Sequence, residues 1–460
     1  MVMEATVKKK ESFFSHDKDF KKRLITLLVT ITLQNVVAYS VNMADNIMLG
    51  AYSQEALSGA ATVNQIFFIV QQLALAVGDS MIMIASQYWG KHELSPIRKL
   101  AGIALKTTAI CCIIVFIACT FFPQQILGIF TSDPAIMAES LEYINIVKYS
   151  FLMFMVTYCL MSALRAVQVV KIAFKLSVMS LIINAGINWL LIFGNFGLPR
   201  MGIVGAAIGT VTARAVELIV MIIYVTKKDK VLRLFSENPF KKDAQLSRDY
   251  RKAAAVLIST EMCWSVATPF QSAVLGSMTA DAIAANSIAT TFYNFLKVAV
   301  RAGASAGGVL IGYAIGEGNY DEVKAKGRTL SVVYVVIGVV MGLLLFVLRG
   351  PLLSMYVLTP EAYDITNQMI ALYSIIMVGM SYQMPVTTGV IRAGGDTRFH
   401  MVTAIVGTWC LAIPLSSLAA FVWHLPVIWV VLCAQSDQLV KCIPVFIKFR
   451  KYNWIKKLTR

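Results

Sequence analysis

Ten ionisable residues lie inside stretches of sequence that are otherwise strongly apolar, and five of them are the most informative: Asp45, Asp79, Glu261, Lys297 and Arg301. A charged side chain at the centre of a lipid bilayer costs at least about 2.5 to 3.5 kcal/mol on insertion scales, so such residues face protein or water and mark ion or substrate pathways. Carboxylates in this setting can bind a proton or a hard cation and release it again. The five residues are therefore the first candidates for reversible ion and ligand binding.

Asp45 belongs to the most polar of these stretches, together with Gln34 and Asn42. At 100° per residue, Gln34 and Asp45 differ by about 20° in angle and Asn42 lies on the adjoining strip, so one helix face is polar. We expect Asp45 to be an ion-coupling carboxylate surrounded by the amides of Gln34, Asn42, Asn184 and Asn188, whose oxygens can complete the shell of a cation. The alternative is a structural acid near the outer end of its helix.

A second group combines an acid with aromatic rings: Glu261, Trp264, Phe292, Tyr293 and Lys297. Aromatic faces attract a flat organic cation by stacking and by cation–π interaction, and a carboxylate can neutralise its charge. We predict that these five residues line a substrate cleft. The alternative is aromatic packing around a structural acid.

The composition shows which elements must hold these residues. The chain has 460 residues, of which 58% are hydrophobic and 14% charged, whereas soluble domains have roughly 45 to 50% and about 25%. Runs of about 20 apolar residues can each cross a bilayer. Twelve such runs fall near 24–49, 56–84, 97–121, 135–161, 172–195, 202–226, 253–276, 282–311, 328–348, 364–390, 400–423 and 427–447.

The two halves of the chain repeat one another. Gly90 and Gly316 are 226 residues apart, and Arg165 and Arg392 are 227 apart. We therefore predict an all-α polytopic membrane protein with twelve transmembrane helices in two six-helix lobes related by an internal repeat. Its predicted parts are a cytoplasmic N-terminal tail (1–22), an N-terminal lobe (23–226), a cytoplasmic linker (227–252), a C-terminal lobe (253–447) and a basic cytoplasmic tail (448–460).

The net charge of +16 arises from 41 Lys and Arg against 25 Asp and Glu. Most of these bases lie in the tails, the linker and alternate loops, which the positive-inside rule places in the cytoplasm with both termini. The basic excess is therefore a topology signal that also suits anionic lipid head groups, and we expect no nucleic-acid partner. The expected location is multi-pass in the plasma (inner) membrane.

Catalytic motifs are weak. Gly303, Ser305 and Gly307 spell GxSxG, but the four histidines all fall outside span interiors, so a serine nucleophile lacks a base. The sequence contains no HExxH, no P-loop and no zinc-binding spacing, and its eight cysteines form no CxxC pair. We expect neither an enzyme nor a metal or cofactor, so a polytopic membrane enzyme is the disfavoured alternative.

Seven short sequence motifs resemble those of the multidrug and toxic compound extrusion (MATE) family of ion-coupled transporters. They are ADNIMLG at 44–50, QYWGK at 87–91, SALRA at 162–166, INAGINWLLIFG at 183–194, LPRMGIVGAAIG at 198–209, YAIGE at 313–317 and GVIRAGGDT at 389–397. The resemblance implies a monomeric secondary antiporter that exports amphipathic, cationic organic compounds in exchange for H⁺ or Na⁺ by alternating access. A lipid-linked saccharide flippase of the same superfamily is the alternative, for which Lys297 and Arg301 would suit an anionic head group.

The resemblance also assigns residues. Asp45 matches the first-helix acid of the family, Glu261 its seventh-helix glutamate and Asn184 its fifth-helix asparagine. Glu261 is therefore also an ion-coupling candidate. The chain departs from the pattern at Asn188 and Ser381, where some members carry aspartate, so the resemblance leaves open which lobe binds the ion.

The repeat and the resemblance together predict a gate. Spans 2 and 8 are equivalent and face each other across the central cleft in the resembled family, and Asp79 corresponds to Ser305. Arg301 is four residues, roughly 6 Å, farther from the cytoplasmic turn, within reach of Asp79. We predict that Asp79 and Arg301 pair across the lobes when the cytoplasmic side is shut; the alternative is that each is satisfied within its own lobe, Arg301 by helix carbonyls or by Asp437.

Overall fold

The computed structural model describes residues 14–354, 356 and 358–459, so most of the predicted N-terminal tail lies outside the described residues. The α-helices are α1 (Lys18–Tyr52), α2 (Gln54–Gly90), α3 (Leu94–Phe121), α4 (Pro123–Leu127), α5 (Pro134–Ala166), α6 (Lys171–Phe193), α7 (Gly202–Ile223), α8 (Ala244–Gly276), α9 (Ala280–Glu317), α10 (Tyr320–Leu353), α11 (Pro360–Pro385), α12 (Thr397–Ile405), α13 (Ile413–Ser417), α14 (Val427–Ala434), α15 (Ser436–Val440) and α16 (Cys442–Lys451).

The helices confirm the prediction of an all-α membrane protein. In the described part of the chain, eleven helical stretches are long and apolar enough to cross a bilayer. A bent pair, Val427–Ala434 and Ser436–Arg450, meets at 45° and supplies the twelfth span when counted as one.

Side chains that accept hydrogen bonds from backbone N–H groups fix where the long helices begin. Asp17 caps α1, Ser53 caps α2 and Asp133 caps α5, and each satisfies first-turn N–H groups that have no partner inside the helix. Pro134 occupies the first position of α5, where its missing N–H is not needed.

Helix α8 begins inside the predicted linker between the halves. Helix α8 begins at Ala244 because the Asp243 side chain accepts a hydrogen bond from Leu246 N, and Leu246 and Tyr250 then point into the core. The last nine residues of the predicted 227–252 linker are therefore helical. The part before them is tied to the N-terminal half by an ion pair between Glu237 and Arg98.

The C-terminal half is the less regular one. Helix α11 continues beyond Pro385 as a π-helix, Val386–Ile391, and the span Thr397–Val422 joins α12 and α13 with two π-helical stretches around Pro414. A proline removes one backbone donor and displaces the preceding turn, so the helix widens there.

The two lobes meet along α1 and α2 of the N-terminal half and α8 and α9 of the C-terminal half. We call the end of the bundle that carries Lys18 and Lys451 the terminal face, and the other end the opposite face. At the terminal face α2 and α9 touch backbone to backbone, because a Cβ atom on Gly90 would overlap the Tyr313 carbonyl oxygen and lie 2.9 Å from Gly316 Cα. The two repeat-related glycines therefore meet each other in the contact between α2 and α9.

Candidate functional site

The N-terminal lobe holds a buried carboxylate among amides. Asn188 Nδ2 donates to Asp45 Oδ1 at 2.5 Å, and Asn184 Nδ2 donates to Thr210 Oγ1 at 3.3 Å. Asn188 Oδ1 has no hydrogen-bond partner among the described residues, and it lies against Gly209, where any side chain would displace it. A carboxyl oxygen of Asp45 beside the unpaired Asn188 amide oxygen and the Thr210 hydroxyl oxygen is a donor set that suits a hard cation or a proton.

Two of the four amides predicted around Asp45 do not join it. Gln34 is buried but donates to Met161 Sδ at 3.6 Å, and Asn42 is exposed. Gln34 shares the helix face of Asp45, but eleven residues at 1.5 Å each place it about 16 Å away along the axis. Of the four amides, Asn184 and Asn188 lie beside Asp45, whereas Gln34 is too far along the helix axis and Asn42 is turned to the exposed side of α1. Ion coupling by these residues stays a prediction.

A second charge pair sits beside the Asp45 cluster. Arg214 NH1 donates to Glu217 Oε2 at 2.7 Å, three residues along α7, and the guanidinium also interacts electrostatically with Asp45. Arg214 and Glu217 together carry no net charge. They therefore affect the local electric field but do not neutralise a charge on Asp45.

The five residues predicted to line the substrate cleft lie in two separate regions of the structure. Glu261 and Trp264 face the N-terminal lobe, since Gln72 Nε2 donates to Glu261 Oε2 at 3.4 Å and the ring of Trp264 lies 5.8 Å from that of Phe68. These two residues therefore do lie at the interface between the lobes.

The other three predicted cleft residues point into the C-terminal lobe instead. The Tyr293 ring is 4% exposed, stacks on Tyr373 at 4.7 Å and donates from its hydroxyl to Met380 Sδ. Phe292 packs edge-on against Tyr356. Lys297 Nζ lies 5.7 Å from the centroid of the Tyr293 ring.

The angular positions of these residues around the axis of α9 explain where their side chains lie. Tyr293 and Gly312, which faces α2, are about 100° apart around α9 at 100° per residue. Lys297 interacts electrostatically with Arg301, one turn further along α9, and with the ion pair of Asp437 and Lys441, which is closed at 2.6 Å inside the same lobe. Phe292 and Tyr293 therefore pack within the C-terminal lobe, and Lys297 lies beside them. Their part in substrate binding stays a prediction.

The predicted gate is present with a different base. Arg392 NH2 donates to Asp79 Oδ2 at 2.6 Å across the lobes, and Arg165 NH1 donates to Ser305 Oγ at 3.2 Å in the other direction. Arg301 is exposed and has no hydrogen bond or ion pair among the described residues. The predicted Asp79–Arg301 pair is thus corrected to Asp79–Arg392, because Arg392 at the end of span 10 approaches Asp79 from the terminal face.

This contact could have been predicted from the spacing of the internal repeat. Arg165 and Arg392 are repeat landmarks, as are Asp79 and Ser305, so the exchange of arginine contacts between repeats follows from their spacing. Between the pairs lies a cavity of about 20 Å³, large enough for a water molecule and far too small for an organic substrate.

The terminal face is closed by more than the two glycines. Gln87 of α2 donates to Ala393 O at 3.1 Å and to Lys456 O at 3.2 Å, and its Oε1 accepts from Leu458 N at 2.8 Å. One amide side chain therefore joins α2 of the N-terminal lobe to the end of span 10 and to the segment that follows α16.

That segment, residues 452–458, is docked, although the sequence predicted only a basic tail. Trp454 is 0% exposed, stacks on Phe449 and covers Gly394, and Lys456 N donates to Gly394 O at 2.8 Å. Fully burying an aromatic side chain contributes about 1.5 to 3 kcal/mol. The sequence signal was the tryptophan among lysines.

The lobes separate towards the opposite face. The rings of Tyr39 on α1 and Phe295 on α9 lie 6.0 Å apart near mid-depth. Beyond them, Asn46 on the same strip of α1 and Ser287 and Thr291 on the same side of α9 are exposed. The molecule therefore has a polar cleft that opens to the opposite face and is closed at the terminal face.

The motifs that suggested catalysis can be checked against the described residues. Among residues 14–354, 356 and 358–459, no cluster of three or more His, Cys, Asp or Glu could hold a metal ion. Ser305 faces Arg165 and not a base, so the GxSxG spelling is a helix-packing sequence.

Comparisons with known proteins agree with this reading. The family model MatE matches the chain twice, over residues 30–190 and 256–418. The uncharacterized transporter YisQ of Bacillus subtilis is 22% identical over 448 residues, 96% of each chain. The probable multidrug resistance protein NorM of Thermotoga maritima is 21% identical over 445 residues, 96% of this chain and 95% of its own.

The crystal structure of the Vibrio cholerae MATE transporter VcmN in the bent form superposes with a TM-score of 0.83 at 17% identity, covering 94% of this chain and 97% of that one. This likeness shows that the fold is shared. One matched segment of the family model falls in each half of the chain, so the chain belongs to the MatE family of multi-pass membrane transporters.

Proposed function

We propose that this protein is a secondary antiporter that exports amphipathic, cationic organic compounds in exchange for H⁺ or Na⁺. The observation that carries the proposal is the Asp45 cluster. Asp45 and Asn188 form a buried hydrogen-bonded pair inside one lobe, apart from the interface where Glu261 and Trp264 meet the N-terminal lobe. Separate ion and substrate sites linked by one moving lobe are what exchange by alternating access requires.

The orientation belongs to the same proposal. The terminal face carries the basic segments, which the positive-inside rule assigns to the cytoplasm, so the cleft opens to the outside. Release of substrate and capture of the ion would occur in this state. The protein would act as a monomer in the plasma (inner) membrane, without a resident cofactor or a nucleic-acid partner.

The driving force is adequate. One elementary charge crossing about 100 mV supplies about 2.3 kcal/mol, which supports roughly a 50-fold concentration ratio. The relatives named as multidrug resistance proteins favour organic compounds as the cargo. The flippase alternative loses support because Lys297, one of its two bases, points into the C-terminal lobe.

The test is gradient-driven export of a fluorescent organic cation from proteoliposomes, with Na⁺ and pH gradients imposed independently. We expect one of the two ions to drive transport and Asp45→Asn to abolish it while the protein remains folded by circular dichroism. Transport that is unchanged in Asp45→Asn would contradict the assignment of the coupling site.

A further inference from the structure

The floor of the cleft contains a charge that the coupling scheme does not use. Arg301 is exposed, although it lies in the middle of α9, 21 residues after Ala280 and 16 before Glu317. At 1.5 Å per residue the nearer end of the helix is about 24 Å away. A guanidinium at such depth is costly unless it serves a ligand or a partner.

The acids nearest to Arg301 already have other partners. Asp79 is held by Arg392 at 2.6 Å, and Glu261 accepts from Gln72 at 3.4 Å. Glu261 and Arg301 interact electrostatically without forming an ion pair. Arg301 is therefore the one arginine at this level of the described interface without a hydrogen-bond partner.

The charge balance at the cleft floor points the same way. Three arginines, Arg165, Arg301 and Arg392, face two carboxylates, Asp79 and Glu261, which leaves one positive charge. A cleft that receives only cations would not keep an unpaired guanidinium in the path of its substrate, since like charges repel in a medium of low dielectric constant.

We infer that Arg301 binds an anionic group of the transported compound, a carboxylate held through two N–H donors, while Glu261 and Trp264 receive its basic, aromatic part. The planar guanidinium matches a carboxylate in a bidentate geometry. The preferred cargo is then a zwitterionic aromatic amphiphile, and this conclusion rests on the proposed export function. A single free arginine suits one carboxylate better than the pyrophosphate of a lipid-linked sugar.

The experiment compares two dyes that differ in one group: a rhodamine free acid, which is a zwitterion, and its methyl ester, which is a cation. Export of each is measured in proteoliposomes for the natural protein, Arg301→Gln and Arg301→Lys. The control is Arg349→Gln, since Arg349 stacks on Phe346 near the opposite end of α10, away from the cleft. Binding of both dyes to the same variants in nanodiscs is measured by fluorescence polarisation.

We expect the natural protein and Arg349→Gln to favour the acid. Because a hydrogen bond to a charged group contributes about 1.5 to 3 kcal/mol, Arg301→Gln should lower the acid-to-ester ratio roughly 10- to 100-fold. Arg301→Lys should keep part of the preference, since lysine retains the charge but not the bidentate geometry.

Three results would overturn the inference: preference for the ester in the natural protein, an Arg301→Gln variant that lowers both dyes equally, or acid binding that is no tighter than in Arg301→Gln. Loss of export of both dyes in the natural protein, with the binding ratio intact, would contradict the proposed export function alone. A higher affinity for a lipid pyrophosphate in the same nanodiscs than for the acid would also overturn the assignment to a carboxylate.

Discussion

Arg392 donates to Asp79 at 2.6 Å across the lobe interface, and the equivalent arginine of the first repeat, Arg165, donates in the opposite direction to Ser305. Each lobe thus contributes one arginine that donates a hydrogen bond to the other lobe. Because Ser305 stands where the first repeat has Asp79, only one of the two contacts is ionic. The repeat is symmetric in its geometry and asymmetric in its charge.

The first prediction concerns this pair. Asp79→Asn and Arg392→Gln should each leave an uncompensated charge at the interface, which for buried pairs costs about 3 to 5 kcal/mol and less at sites that keep some water contact. We expect each variant to shift the protein towards a state open at the terminal face and to slow export at least 10-fold. The double variant should recover part of both effects.

The measurement is the spin-label distance between cysteines at Lys171 and Arg398, exposed positions near the terminal face on the two lobes. Additive effects in the double variant would show that the two side chains act independently.

The second prediction uses the glycine contact. Gly90→Leu must separate α2 from α9, because even a Cβ atom there meets the Tyr313 carbonyl oxygen and Gly316. The same spin-label distance should lengthen by several ångströms. Gly186→Leu is the matched control, since a Cβ atom at Gly186 has no neighbour within 4 Å. An unchanged distance in Gly90→Leu would mean that the lobes are not held together at this point.

The third prediction concerns the segment 452–458. Trp454→Ala removes a fully buried indole, which typically costs about 3 to 5 kcal/mol, and should detach the segment. Hydrogen exchange of the Lys456 amide, which now donates to Gly394 O, should accelerate at least 100-fold. Trp429→Ala, at a position 53% exposed, should leave that amide protected. Equal protection in both variants would refute the docking role of Trp454.

The fourth prediction is the pH range of this docking. Burial works to raise the pKa of Asp396, but the hydrogen bond from Lys448 and the charge of Lys456 outweigh it, so the pKa lies below its usual value. A lowered pKa stabilises the docked segment above about pH 3.9, the ordinary Asp value, and this stabilisation is lost as the pH falls through the folded value.

Protection of Lys456 should therefore be the same from pH 8 to pH 5 and should fall only below about pH 4. Asp396→Asn should show weaker protection with no pH step in that acidic range. A loss of protection between pH 7 and pH 5 in the natural protein would contradict this account.

The fifth prediction tests the shell of Asp45. Thr210→Val removes the oxygen that accepts from Asn184, and Asn188→Leu removes the donor to Asp45. Since outer partners of an ion site typically change affinity 10- to 100-fold, we expect the half-saturating concentration of the coupling ion to change by that factor. Thr212→Val, whose hydroxyl bonds only to Ile208 O, is the control on the same helix. A response shared by Thr212→Val would indicate a general packing effect.

Periodicity and composition were enough to predict the twelve spans, because about 20 apolar residues per span is a strong signal. The proximity of Asp45 and Asn188 could also be predicted, since both residues lie in sequence motifs that resemble those of the family. The exclusion of Gln34 was not, because that prediction used the angle around the helix and neglected the rise along it.

Contacts between lobes were the hardest to predict. Tyr293 and Lys297 had the chemistry of a substrate site, but the rotation of α9 about its axis decides whether they face the cleft or the lobe, and that rotation depends on packing with α10 and α11. The repeat, in contrast, contained the Arg392 contact, since Arg165 and Arg392 occupy equivalent positions.

The exchanged arginines bear on how the protein is made. While the second half is still being inserted into the bilayer, Asp79 and Arg165 of the first half have none of their later partners, and Arg392 meets Asp79 only after span 10 has arrived. Until then Asp79 lacks its ionic partner and Arg165 keeps only its contact with the Tyr158 ring of the same lobe, so water or neighbouring helices must stabilise the two charges. Two halves synthesised as separate chains would lack the same interlobe contacts. Formation of these contacts would favour association of the two halves.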